Sequence, residues 1–111
     1  MPKVYVTQIP HKKDPETDAF VPILNITPAT EHGEVEVLMP PRAAFFDTRD
    51  LIRQLEEKLK HYDYEAGDSI VTLGDPVVAA AACAILGRHG KFTVLKWDKQ
   101  LGRYVTARIA L

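Results

Sequence analysis

A chain of 111 residues with 46% hydrophobic and 26% charged side chains has the composition of one globular domain, too short for two cores and too apolar for a disordered segment. No apolar run approaches the roughly 18 residues that a membrane span needs, and Met1-Pro2-Lys3-Val4-Tyr5 lacks the apolar core and cleavage site of a signal peptide. The formal net charge of −1 gives no overall attraction to nucleic acid or anionic membrane, and the lone Cys83 has no partner for an intramolecular disulfide, which fits a reducing compartment.

Seven of the eight prolines lie in the first 41 residues. Proline donates no amide hydrogen, so this stretch is expected to hold short edge strands and ordered loops, without helix. Val4–Ile9 and Ile23–Thr27 read as strands, separated by a polar loop through His11-Lys12-Lys13-Asp14-Pro15. Glu34 to Met39 alternates charged and apolar residues before turning fully apolar, the pattern of a strand, and Pro40-Pro41 stops it. A helix follows, with Asp47 as its N-cap and Leu51, Ile52, Leu55, Leu59 and Tyr62 on one face. Phe45-Phe46, directly before it, are expected to staple the helix start into the core.

Ser69-Ile70-Val71-Thr72-Leu73 is a continuous, β-branched run of the kind buried on both faces of a parallel sheet. Gly74-Asp75-Pro76 ends that strand and starts a second helix, with Asp75 as N-cap and Pro76 at the first helical position. This helix runs through Val77, Val78, Ala79 to Ala82, Cys83, Ala84, Ile85 and Leu86, and Gly87 or Gly90 ends it. Phe92–Trp97 and Tyr104–Ile109 form two strands joined by a turn containing Gly102. From Glu34 onward the order is strand, helix, strand, helix, strand, strand. Two consecutive crossovers give a parallel three-stranded core, and the final hairpin adds an antiparallel strand. The expectation is a single α/β domain over residues 1–111: a small mixed β-sheet with two crossover helices, a C-terminal antiparallel hairpin and Pro-rich N-terminal strands.

Charge is unevenly spread along this order. Residues 1–87 carry a net of −6, whereas Arg88, Lys91, Lys96, Lys99, Arg103 and Arg108 against Asp98 give residues 88–111 a net of +5. The two parts either satisfy each other within the fold or leave a basic end for an acidic partner.

A resemblance runs through the same residues. Leu24-Asn25-Ile26-Thr27-Pro28-Ala29, His32-Gly33-Glu34 and Val37-Leu38-Met39-Pro40-Pro41 make up its upstream part. Gly74-Asp75-Pro76 with the Ala/Ile helix, Gly90-Lys91-Phe92, Leu95-Lys96-Trp97-Asp98-Lys99-Gln100 and Gly102-Arg103-Tyr104 complete it. Together they resemble a group of small proteins encoded by tailed bacteriophages, frequent in environmental viruses. The resemblance implies a viral origin and a life in the host bacterial cytoplasm, and it brings no catalytic residue with it.

The search for chemistry yields two candidate sites. There is no Gly-rich phosphate loop, and His11, His32, His61 and His89 are dispersed without ligand spacing, so neither a metal nor a cofactor is expected. Cys83 lies among alanines on a packed helix and reads as an inert buried thiol. Gly74 and Asp75 stand at the carboxyl end of a parallel strand, where open α/β sheets bind ligands and where a helix N-terminus offers amides; ordinary capping explains the same residues. The basic hairpin is the stronger candidate. Lys96, Trp97, Lys99, Arg103, Tyr104 and Arg108 set positive charge beside rings, the combination single-strand binders use. Strand alternation places Lys96 with Tyr104, Thr106 and Arg108, and Val105, Ala107, Ile109 and Leu111 on the buried face. The alternative is that the rings pack inward and the charges protect a sheet edge.

The first function expected is a non-catalytic phage accessory or interaction protein binding a host or viral macromolecule. A nucleic-acid-binding accessory acting through the hairpin is the second, and a small nucleotide or phosphate binder or enzyme at Gly74-Asp75 the third. The Ala79–Ala84 face and the short sheet's edges also raise a homodimer, and no membrane contact is expected.

Overall fold

The computed structural model describes residues 1–22, 25–41 and 47–111. Its strands are β1 (Lys3–Gln8), β2 (His11–Lys13), β3 (Phe20–Pro22), β4 (Glu34–Met39), β5 (Ser69–Val71), β6 (Lys91–Asp98) and β7 (Arg103–Ala110). A 3-10 helix spans Thr27–His32, and two α-helices, α1 (Thr48–Leu59) and α2 (Pro76–Gly87), follow β4 and β5. The α/β class, the mixed sheet and the C-terminal antiparallel pair are as the sequence leads one to expect.

The sheet order is β4-β1-β5-β6-β7. β1 lies parallel to both β4 and β5, β5 parallel to β6, and β7 antiparallel to β6. The parallel core therefore has four strands. The expected neighbours β4 and β5 are separated by β1, which sequence order alone could not place. The physical reason lies in Val4, Tyr5 and Val6, all withdrawn from solvent. Apolar side chains on both sides of a strand are covered only in the middle of a sheet.

The Pro-rich segment departs further from expectation. Its second and third strands, His11–Lys13 and Phe20–Pro22, pair with each other in a separate two-stranded ribbon, so part of the expected polar loop is strand. The expected strand Ile23–Thr27 is not found where it can be judged: residues 23–24 lie outside the described residues, and Asn25 and Ile26 belong to no element. Thr27 opens the 3-10 helix, with Pro28 in its first turn. Proline's missing amide is no loss there, and the Asn25 side chain accepts the Thr27 amide at 3.0 Å. The Phe45-Phe46 staple also falls outside the described residues.

Each face of the sheet has its own core. On one face Tyr5, Leu38 and Ile70 meet Leu51, Leu55 and Leu59 of α1 and Val78, Ala82 and Leu86 of α2. On the opposite face Val4, Val6, Val71, Leu95 and Tyr104 cluster with Ala29 of the 3-10 helix. Tyr62, just past α1, ties the elements by its hydroxyl, which donates to the Asp68 carbonyl at 2.9 Å and accepts the Thr93 amide at 3.0 Å.

The ends of β1 and β5 are joined by side chains. Thr7 Oγ1 accepts the Leu73 amide at 2.8 Å and donates to the Leu73 carbonyl at 2.6 Å. The buried Gln8 carboxamide accepts the Asp75 amide at 2.7 Å and donates to the Pro40 carbonyl at 2.7 Å, linking β1, the end of β4 and the start of α2. Gly74 makes this possible. It holds φ +81°, and a Cβ built on it would stand 2.3 Å from Gln8 Oε1 and 2.6 Å from Gln8 Cβ.

Two outcomes follow from these contacts. Gly90 has a similar φ of +84° with nothing near a built Cβ, so Gly90→Ala should cost only the left-handed penalty of about 1–2 kcal/mol. Gly74→Ala should add an overpacking cost of about 1–3 kcal/mol to the same penalty. Urea melts of both variants check this, and equal losses would remove Gln8 from the account. The second outcome concerns Tyr5, whose phenol is pushed up to about 12 by burial first and then by the charges of Asp68 and Glu36. An unfolded tyrosine ionises near pH 10, so the folded state holds the extra proton between pH 10 and 12. Stability is therefore intact below pH 10 and falls as pH rises through that window. Tyr5→Phe should flatten this alkaline limb in melts recorded from pH 8 to 12.

Candidate functional site

The C-terminal hairpin is built by its turn. Asp98 Oδ1 accepts the amides of Gln100 at 2.9 Å and Leu101 at 3.0 Å, and the Gly102 amide returns to the Asp98 carbonyl at 2.8 Å. This turn sets a continuous register in which Trp97 faces Tyr104, Lys96 faces Val105 and Thr93 faces Arg108. Residues directly opposite in an antiparallel pair share a face. Leu95 and Tyr104 belong to the core opposite the helices, and Phe92 and Val94 to the helix side. Trp97, Tyr104, Thr106 and Arg108 therefore project from the open face, and Lys96 from the helix face. That corrects the expected grouping of Lys96 with Tyr104 and Arg108.

The two rings also part company. Tyr104 is buried, with its phenol pushed up by that burial. Trp97 remains 45% exposed and sets its ring edge-on to Tyr104, 5.1 Å between centroids. Arg103 turns back into the molecule, its Nε 3.1 Å from Glu31 Oε1. Glu31 also lies 3.5 Å from the His32 ring, whose Nε2 sits 3.0 Å from the Tyr104 carbonyl. Arg88 is likewise committed, to Glu56 at 2.6 Å, and Lys91 lies over the Tyr64 ring. Part of the basic end is thus satisfied by the acidic part of the chain. Lys96, Lys99 and Arg108 are exposed and form no ion pair among the described residues.

Beside Trp97 the open face holds a groove of about 580 Å³. Val71, Thr72 and Leu73 form one wall at the end of β5, and Leu95, Trp97 and Tyr104 the other. It exists because β5 ends at Val71 and the chain leaves the ladder there, where the sequence suggested a strand continuing to Leu73. Its lining is mainly apolar, with Asn25, Thr72 and Lys96 as its polar residues.

Gly74 and Asp75 stand where the strand order reverses, between the ends of β1 and β5. The crevice that such sheets offer to ligands is occupied here by the Gln8 carboxamide. Asp75 uses its backbone amide on Gln8 and its Oδ1 on the Val77 amide at 2.8 Å. This is helix capping. Asp47 caps α1 in the same way, accepting the Arg49 amide at 3.1 Å, and the Arg49 guanidinium beside it holds its carboxyl below the usual range. Burial raises the Cys83 thiol, which opposes nucleophilic reactivity. No group of three or more potential metal ligands occurs among the described residues. Sequence reasoning missed Thr7 and Gln8; the one signal for them was a polar pair ending an apolar central strand.

The chain belongs to the Phage Pam3 gp32-like protein family, whose family model matches residues 2–111. No curated protein and no solved structure matches it.

The exposure of Trp97 sets an expected outcome. A tryptophan in a closed core costs about 3–5 kcal/mol when cut to alanine, whereas Trp97 keeps nearly half its surface in water. Trp97→Ala should therefore cost only about 1–2 kcal/mol, checked by denaturant melts. A larger loss would mean that the indole serves the core and is not available to a partner.

Proposed function

We propose that this phage protein is a non-catalytic accessory module that binds a host or viral macromolecule, and that the open-face groove beside Trp97 is where it does so. The half-exposed indole on the rim of an apolar groove carries the reading. A large rigid ring flanked by a recess is the anchor geometry that dominates binding energy at protein interfaces. The groove volume suits one or two apolar side chains of a partner segment, with Asn25 and Thr72 placed to orient its backbone. Membership of a phage family supports action inside the infected bacterium, and no helix among the described residues is long and apolar enough to cross a membrane.

Nucleic-acid binding is the second reading. Lys96, Lys99 and Arg108 favour it, being exposed and without ion-pair partners among the described residues. The dispersal of Lys96 and Arg108 to opposite faces, and the burial of Tyr104, make the hairpin a weaker stacking platform than its sequence suggests. A nucleotide or phosphate site at Gly74-Asp75 has less support, because the amides that would face an anion are already bonded to Gln8 and to the Asp75 carboxylate.

Affinity capture from phage-infected cells, with and without nuclease, tests the proposal. The unaltered protein should retain a nuclease-resistant partner that Trp97→Ala loses while keeping its circular dichroism spectrum. Equal retention by Trp97→Ala overturns the groove. Loss of the partner on nuclease treatment, with log affinity falling linearly in log salt at a slope near 0.7 per single-strand phosphate, would establish the second reading instead.

A further inference from the structure

The ladder between β5 and β6 closes early and leaves the β6 backbone beyond it without a neighbouring strand. The Leu111 amide donates to the Gly90 carbonyl at 2.7 Å, so Gly90 and Leu111 form a hydrogen-bonded pair at the foot of the β6–β7 ladder. Such pairs recur at every second position. Phe92, Val94, Lys96 and Asp98 therefore turn their backbone groups toward β7, and Thr93, Leu95 and Trp97 turn theirs toward β5. The Thr93 amide, bonded to the Tyr62 hydroxyl away from β7, agrees with this alternation. The β5–β6 bridge sets Ile70 opposite Val94. Given that alternation, it joins the Ile70 amide to the Thr93 carbonyl and the Leu95 amide to the Ile70 carbonyl.

One step further along, a continuing β5 would bring Thr72 to the Leu95 carbonyl and the Trp97 amide. Thr72 makes neither bond, and Thr7 of β1 holds both backbone groups of Leu73, which draws the chain to the β1 side. The Leu95 carbonyl and the Trp97 amide and carbonyl thus have no hydrogen-bond partner among the described residues. They border the open-face groove, whose lining includes Val94, Leu95, Lys96 and Trp97 without a break. Leu95 and Trp97 project on the open face and Lys96 on the helix face. Lys96 and Lys99 are exposed and form no ion pair among the described residues. Asp98, the single acidic residue after position 87, uses its Oδ1 on the turn amides.

We infer that the groove takes an extended, acidic peptide segment of a host or viral protein, which continues the sheet beside Leu95 to Trp97 and sets two apolar side chains about a central carboxylate. This deepens the reading of the groove as the binding site and rests on it. Backbone bonds to the Leu95 carbonyl and the Trp97 amide are open to any added strand, and side chains at alternate positions give selectivity. Neighbours across a sheet share a face. The residues beside Leu95 and Trp97 therefore enter the recess next to Leu73 and Tyr104, and the one between them emerges beside Lys96. Charge complementarity makes that residue an aspartate or glutamate, since a basic one would oppose Lys96 directly. Nucleic acid fits less well, because phosphate groups accept hydrogen bonds and give the Leu95 carbonyl no donor.

Amide exchange and a peptide titration, both followed by NMR on the isotopically labelled chain, test this. In the free protein the Trp97 amide should exchange roughly a hundredfold faster than those of Leu95 and Lys96, which the ladders hold. Equal protection overturns the inference. The probe is an acetylated, amidated pentapeptide, threonine-valine-glutamate-valine-threonine, added to about 5 mM. It should move the Trp97 amide downfield and bring its valine methyls into contact with the Trp97 and Tyr104 rings in NOE spectra. N-methylation of its three central amides should weaken binding roughly tenfold or more. Lysine in place of its glutamate should weaken binding roughly threefold or more at low salt. Equal binding of the N-methylated peptide overturns strand addition and leaves the groove as a site for side chains alone. Equal binding of the lysine peptide overturns the acidic partner. A deoxythymidine octamer that moves the Trp97 resonances at lower concentration than the peptide overturns the inference in favour of nucleic acid. Absence of any shift with the peptide overturns it as well, and the groove itself then stands or falls by the capture comparison with Trp97→Ala.

Discussion

The complete burial of the first strand governs the rest of the fold. Val4 through Gln8 have almost no contact with solvent, so β1 must be flanked on both edges and covered on both faces. Two strands, two helices and a 3-10 helix meet those four demands. β4 and β5 supply the edges, α1 and α2 cover the Tyr5 side, and Ala29 covers the Val4 and Val6 side. The helical crossover from β4 to β5 has to pass over β1 for the same reason. The first connection, through β2, β3 and the 3-10 helix, brings its covering residue to the opposite face. The Pro-rich segment is thus structural cover for one side of the sheet, although its described residues contain no α-helix.

The polar end of β1 has a second effect. An open α/β sheet normally presents a vacant crevice where its strand order reverses, and ligands settle there. In this chain Gln8 reaches into the crevice and satisfies the first amide of α2, while Thr7 secures the Leu73 backbone. Gly74 and Asp75 take part in a structural joint with Gln8, and Gly74 is needed because Gln8 passes too close for any side chain. On the open face, the early end of β5 leaves the recess beside Trp97.

Local signals made much of this legible from sequence. Asp47 and Asp75 declared both helix starts, since capping depends on one side chain and its neighbours. Glu34 to Met39 and the final hairpin were readable for similar reasons, alternation and a Gly-containing turn being properties of short windows. What failed was non-local. The position of β1 depends on two strands far along the chain, and the clamp formed by Gln8 joins three segments. Within the hairpin, the face assigned to Lys96 was wrong because faces on β6 are set by Phe92 and Leu95 packing, not by the spacing of basic residues. Arg103 looked available to a partner until the fold brought Glu31 to it. The viral family affiliation, by contrast, was visible in a scatter of residues along the chain.

A sheet whose central strand is made first imposes an order on its own completion. As the chain leaves the ribosome, β1 emerges with its apolar residues exposed, and its partner β4 follows some thirty residues later. Its second partner appears only when Ser69 to Val71 have been made, on the order of 3–13 s after β1 at about 5–20 residues per second. Until then Val4, Tyr5 and Val6 are open on one flank, in a cell crowded with other nascent chains. The charged and proline-rich ribbon that immediately follows β1 gives that interval a built-in safeguard, since prolines and unlike charges around an apolar strand oppose its capture by foreign strands.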